Sequence, residues 1–165
     1  MDKRQKIIVL SFGILLLIAL VVLIVVAVEQ SKPVYGEFIP PAFEENAIEG
    51  APKGTLPPDY GKMTVSEDFA FCMCAAPILT GNDLAVYFTS PEDNSVRMLL
   101  RLYDKDGALL YESGLLKPGE HLPSVTLSRP LTSGESVYAR VLSYEPETYY
   151  SMGSAGAELR PIAAN

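Results

Sequence analysis

Tryptophan is absent from the 165 residues, histidine occurs once, at His121, and cysteine twice, at Cys72 and Cys74. One histidine confines any Ser-His-Asp or Cys-His chemistry to an arrangement built on His121. No G-x-S-x-G elbow accompanies it. A zinc site drawing on these scarce ligands would have to gather Cys72, Cys74 and His121, which are far apart in the chain. The plainer reading of His121, just after the PGE turn, is a polar edge residue at the start of a strand. Positive charge is also sparse. The chain has 13 Lys and Arg against 20 Asp and Glu; from Glu29 onward there are 10 against 19, a net charge of −9. That balance argues against nucleic acid as a partner and against tight docking on anionic lipid heads, since both prefer basic surfaces.

What the chain does have is one long apolar run. Residues 7–28, IIVLSFGILLLIALVVLIVVAV, carry no charge. As a helix at ~1.5 Å per residue, such a run matches a ~30 Å hydrocarbon core. Lys3, Arg4 and Lys6 precede it and Glu29 follows, so the N-terminus is expected in the cytoplasm and the rest outside. A signal peptide cleaved after Ala27 is the competing reading, but its apolar region would normally be ~7–15 residues. The expectation is an uncleaved, single-pass signal anchor. The lipid bilayer is its partner through residues 7–28.

Residues 29–58 are rich in proline and read as a semi-rigid spacer. Val34, Tyr35, Phe38, Ile39 and Phe43 interrupt its polar character. A solvated spacer has no need of them, so part of it is expected to pack on the following domain, with Phe38, Ile39 and Phe43 as the docking residues. From residue 59 the period becomes two. Phe69, Phe71 and Met73 alternate with Ala70, Cys72 and Cys74. Leu84, Val86 and Phe88 form the next set, then Val96, Met98, Leu100 and Leu102, then Val137, Ala139 and Val141. TGND, SPEDNS, DKDG, LKPGE and RPLTSGE supply turns between them. The expected fold is mainly β: a transmembrane helix, then a single antiparallel sandwich of seven to eight strands in two sheets over residues 59–165.

TSPEDNSV, LRLYDKDGALLYESGLLKPGE and YEPETYYSMGSAGAEL, together with the linker FIPPAFEENAIEGAP, resemble an uncharacterised family. Its members are small, single-pass, membrane-anchored surface proteins of Gram-positive bacteria with one immunoglobulin-like β-sandwich. The resemblance implies architecture and location only. The cysteine pair lies outside the family's pattern.

Three constellations have residue types that could carry chemistry. DKDG offers Asp104 and Asp106 to a calcium loop, but Leu102 and Ser113 stand where ligands 1 and 12 would be needed, so a hairpin turn is expected. Tyr144, Glu145, Glu147, Tyr149 and Tyr150 combine acid with aromatic rings and form the candidate contact for a protein or glycan partner. Arg97, Arg101 and Arg140 lie on outward strand faces and would form a small basic stripe if their strands were neighbours. Cys72 and Cys74 share one face as i and i+2, with Cα atoms at about the ~6.8 Å disulfide limit, so free thiols are expected. Their small-residue face calls for a cover, and the apolar linker residues are the expected one. No cofactor is expected. The functional expectation is a non-enzymatic interaction or accessory module at the cell surface. The alternatives are a subunit of a secretion, conjugation or adhesion apparatus, and an envelope enzyme or enzyme inhibitor.

Overall fold

A computed structural model describes residues 2, 15–23, 39–67, 69–132 and 134–164. The chain divides into two compact units, residues 1–39 and 40–165. Within the first, residues 15–23 are helical. Its large apolar side chains, from Leu15 to Leu23, are all 51–70% exposed. Among the described residues no helix is long and apolar enough to cross a membrane. The remainder of the expected 7–28 span lies outside the described residues.

The second unit is all β. Its strands are β1 (Ile48–Glu49), β2 (Tyr60–Ser66), β3 (Phe69–Cys74), β4 (Ile78–Thr80), β5 (Asp83–Ala85), β6 (Phe88–Thr89) and β7 (Arg97–Tyr103). They continue as β8 (Leu109–Glu112), β9 (Glu120–Leu122), β10 (Val125–Thr126), β11 (Val137–Tyr144), β12 (Ser151–Leu159) and β13 (Ile162–Ala163). Sheet I has the order β1-β9-β6-β3-β2, sheet II β10-β5-β4-β13, and sheet III β12-β11-β7-β8. All pairings between these strands are antiparallel except β13 on β4.

One apolar cluster joins the sheets. Phe69, Phe71 and Met73 of β3, Phe88 of β6 and Leu122 of β9 meet Met98, Leu100 and Leu102 of β7 and Val137, Ala139 and Val141 of β11. This is a sandwich core, and the period-two faces in the sequence supply it. Burying such a face stabilises by about 1.5–3 kcal/mol per large side chain.

Two expectations about the strands are corrected. The described residues form thirteen short strands in three sheets, not seven to eight in two. The run Leu84–Phe88 is not one strand. It breaks at Val86–Tyr87, where Tyr87 adopts φ 46° and its N–H turns to the Pro123 carbonyl at 3.0 Å. That kink carries the chain from sheet II into sheet I. A left-handed tyrosine is strained, and the buried flanks Val86 and Phe88 hold it in place.

The β unit also starts earlier than residue 59. Leu115 N–H donates to the Ala42 carbonyl (2.8 Å), Glu44 N–H to the Leu115 carbonyl (3.0 Å) and Gly50 N–H to the Gly119 carbonyl (2.7 Å). Residues 42–50 thus form a strap whose β1 lies beside β9.

Candidate functional site

His121 is not an edge residue. β1 and β6 flank it, it is buried, and its Nδ1–H donates to the Gly50 carbonyl at 2.7 Å. A carbonyl can only accept, so that contact fixes the tautomer. The strap converts the expected edge into sheet interior.

Thr89 stands between Cys72 and His121 in the ladder, Cys72 opposite Thr89 and Thr89 opposite His121. Two strand spacings of ~4.8 Å separate cysteine from histidine, too far for one zinc ion with bonds of ~2.0–2.3 Å. Among the described residues, no three His, Cys, Asp or Glu side chains gather as a metal site.

The cysteines are free thiols, Cys74 buried and Cys72 half-buried. Their cover is not the one expected. Phe38 lies outside the described residues, Ile39 is 84% exposed, and Phe43 sits elsewhere. Tyr60 covers this face instead. It pairs with Cys74 in register, and its hydroxyl donates to Thr89 Oγ1 at 2.9 Å, beside Cys72. A flat ring with a polar tip does what a strand apolar on both faces requires, and the linker is not needed there. Asn94 covers the other end by clamping Ala70, accepting from its N–H at 2.9 Å and donating to its carbonyl at 2.7 Å. Burial pushes the Cys74 thiol up to about 11, with Asp59 adding to the effect, and burial raises Cys72 as well. Thiols held this way are poor nucleophiles and poor metal ligands.

Phe43 and Tyr149 meet at Arg97. The guanidinium lies 5.0 Å from the Phe43 ring centroid and 4.9 Å from that of Tyr149. Lys117 Nζ lies 4.8 Å from the Phe43 ring. Two features singled out separately in the sequence, the apolar strap and the tyrosine–acid loop, are therefore brought together by one cation on sheet III. Each such contact contributes about 0.5–1 kcal/mol at an exposed position. Arg97 Nη1 is buried without a hydrogen-bond partner among the described residues.

The loop between β11 and β12 holds its own shape. Glu145 accepts from Glu147 N–H (3.0 Å), Thr148 N–H and the Thr148 hydroxyl (2.7 Å). The Thr148 bonds, then that of Glu147, hold its carboxyl below the usual range, and Arg97 contributes last. Glu145 is therefore held toward its ionised form, with Oε2 engaged three times, which does not suit a general acid. Tyr144 is half-buried, while Glu147 and Tyr150 are exposed, Tyr150 at 75%.

Arg101 and Arg140 do face each other across β7 and β11. Glu112 pairs with Arg101, and Arg140 reaches Ser154 Oγ at 3.4 Å, so the stripe is partly neutralised. DKDG is a turn: Asp104 Oδ1 accepts from Asp106 and Ala108 N–H, and its Oδ2 accepts from Arg129 Nη2 at 2.8 Å. Those bonds occupy both oxygens of Asp104.

The sequence reading missed one feature. A slot of ≈ 330 Å³ opens between β2 and β12, the outermost strands of sheets I and III. Phe71, Met73 and Leu159 form its floor, and Gly61 and Met63 its mouth. The signal was a glycine inside a strand, opposite Met73, which often marks the close approach of another group.

No family model and no curated protein matches the chain. Among solved structures, CopC from Methylosinus trichosporium OB3b is similar at 13% identity and a TM-score of 0.35, covering 55% of this chain and 87% of that one. A likeness that slight carries no argument about what this chain does.

Proposed function

We propose that the chain is a membrane-anchored β-sandwich displayed outside the cytoplasm, acting as a non-enzymatic interaction module at the cell surface. One observation carries the anchor: apolar side chains all around helix 15–23 are more than half exposed. A helix apolar on every side needs lipid or protein around it, and the uncharged sequence that contains it, residues 7–28, has the number of residues a bilayer-spanning helix needs. The basic cluster Lys3, Arg4 and Lys6 orients it. The resemblance to Gram-positive surface proteins supports the same placement. His121 and Glu145, the groups an enzyme would need most, are engaged in holding the strap and a turn, which favours the module over an enzyme.

The test is placement in cells. Glu147→Cys, at an exposed loop position, is expected to react with a membrane-impermeant maleimide on intact cells. The protein is expected to remain particulate after alkaline carbonate extraction. Release into the soluble fraction refutes the anchor; labelling only after lysis refutes the orientation.

A further inference from the structure

We propose that the slot between β2 and β12 receives an extended segment of another protein, which adds as a strand to the free edge of β12. The inference rests on reading the domain as an interaction module and names its surface and the chemistry of its partner.

The slot exists because a side chain is missing. Gly61 faces inward with Met63, opposite Met73 and Phe71. A Cβ built on Gly61 meets nothing within 4 Å, and its φ lies outside the left-handed region. Backbone conformation therefore does not require glycine. Any residue would fit, and a β-branched one would suit a strand better. The hole is open space over core side chains, at the side of the sandwich where both sheets end.

The two edges differ in protection. β2 carries Lys62, paired with Asp93 at 3.1 Å, and a register shift between Thr64 and Ser66. Charge and a bulge are what keep an edge from pairing. β12 has neither a charge nor a proline from Ser151 to Ala157. Among the described residues, its backbone from Ser154 to Glu158 has no hydrogen-bond partner outside β11. A strand laid there would gain a ladder of main-chain bonds, and alternate side chains would drop toward Gly61 and Met73. Methionines at the mouth and floor adapt to the shape of what enters.

Charge selects the occupant. Asp59, Lys62 and Glu158 stand at the slot. Lys62 is held by Asp93, and Glu158 lies 3.6 Å from Arg160. Those charges are paired, so Asp59 leaves the slot acidic, on a chain whose net charge beyond Glu29 is −9. A second copy would bring the same sign, whereas a segment with basic residues at its ends is complementary. Its outward side chains would lie on the side of Arg140 and Tyr138 and so be polar. The partner segment is therefore extended, apolar at alternate positions, polar between them and basic at its ends.

The probe is a fluorescein-labelled peptide alternating valine and threonine between terminal lysines, titrated by anisotropy against the full chain in detergent. The same peptide with glutamate ends is the control. The lysine-ended peptide is expected to bind at least tenfold more tightly than the control. Gly61→Val should weaken it at least tenfold while leaving the thermal midpoint unchanged or higher, because the valine fills the slot. Glu158→Lys should erase the preference for lysine ends, and it decides the matter if Gly61→Val does not fold. Binding indifferent to both substitutions, or no binding, overturns the proposal. So does a concentration-dependent dimer abolished by Gly61→Val, since the occupant is then a second copy. Binding is read on the purified chain, so its failure leaves the cell-surface placement standing, and the reverse.

Discussion

Side chains here answer mostly to their neighbours. Cys72 and Cys74 have the spacing of a chemical pair, yet Tyr60 lies across them and burial keeps them protonated. In the folded protein at mildly alkaline pH, Cys74 is expected not to react with Ellman's reagent and Cys72 to react slowly. Two thiols should appear at once in denaturant. Rapid reaction of both in the folded state would contradict this burial. Arg129 shows the opposite situation: Asp104 and Glu135 grip it from two loops. Arg129, followed by the Thr132 groups, holds the Glu135 carboxyl down to about 2 from an ordinary 4.5. A depressed carboxylate adds stability that is fully present above its unfolded value and is lost as it protonates in the fold. The thermal midpoint should therefore fall as pH drops from about 4.5 to about 2. Arg129→Leu should lower the neutral-pH midpoint and flatten that fall, as measured by circular dichroism melts across this range.

Among the elements, the strap of residues 42–50 changes the most around it. Glu44 accepts from Gly114 N–H at 2.7 Å, and Tyr111 reaches the same carboxyl oxygen at 3.4 Å. Gly114 has to be glycine for steric reasons, because a Cβ there would stand 2.5 Å from Glu44 N and 2.6 Å from Phe43 C. Both are backbone atoms, so the strap itself would have to move. Gly114→Ala is expected to detach it at a cost of about 1–3 kcal/mol, in the range typical of overpacking. Hydrogen exchange should then show the amides of Glu44, Gly50 and Leu115 losing protection while those of β7 and β11 keep theirs. Unchanged protection at Leu115 would sink this account. The strap's hydrophobic entrance, Phe43, was visible in the sequence as an apolar residue out of place in a spacer. Its partner was not, because Arg97 looked like an ordinary outward charge. β12 was legible only weakly: SMGSAGAEL has low strand propensity and no alternation of large apolar with polar residues. It is a strand because β11 offers it an eight-residue ladder.

At the scale of the molecule, the class of structure and its material were open to inspection in the chain. Alternating faces at Phe69–Met73, Val96–Leu102 and Val137–Val141 name the side chains that form the core. The apolar run and its basic flank make the case for an anchor, and the acid balance argues against nucleic acid. These are properties of composition and period, which act locally or as sums along the chain. What faces what was decided only in three dimensions. The meeting of Phe43, Arg97 and Tyr149, the ring of Tyr60 over the cysteines, the enclosure of His121 and the slot over Gly61 all join residues far apart in sequence. Each depends on strand order and register. A shift of one residue would turn every side chain of a strand to its other face, and the packing of the whole core selects between such alternatives.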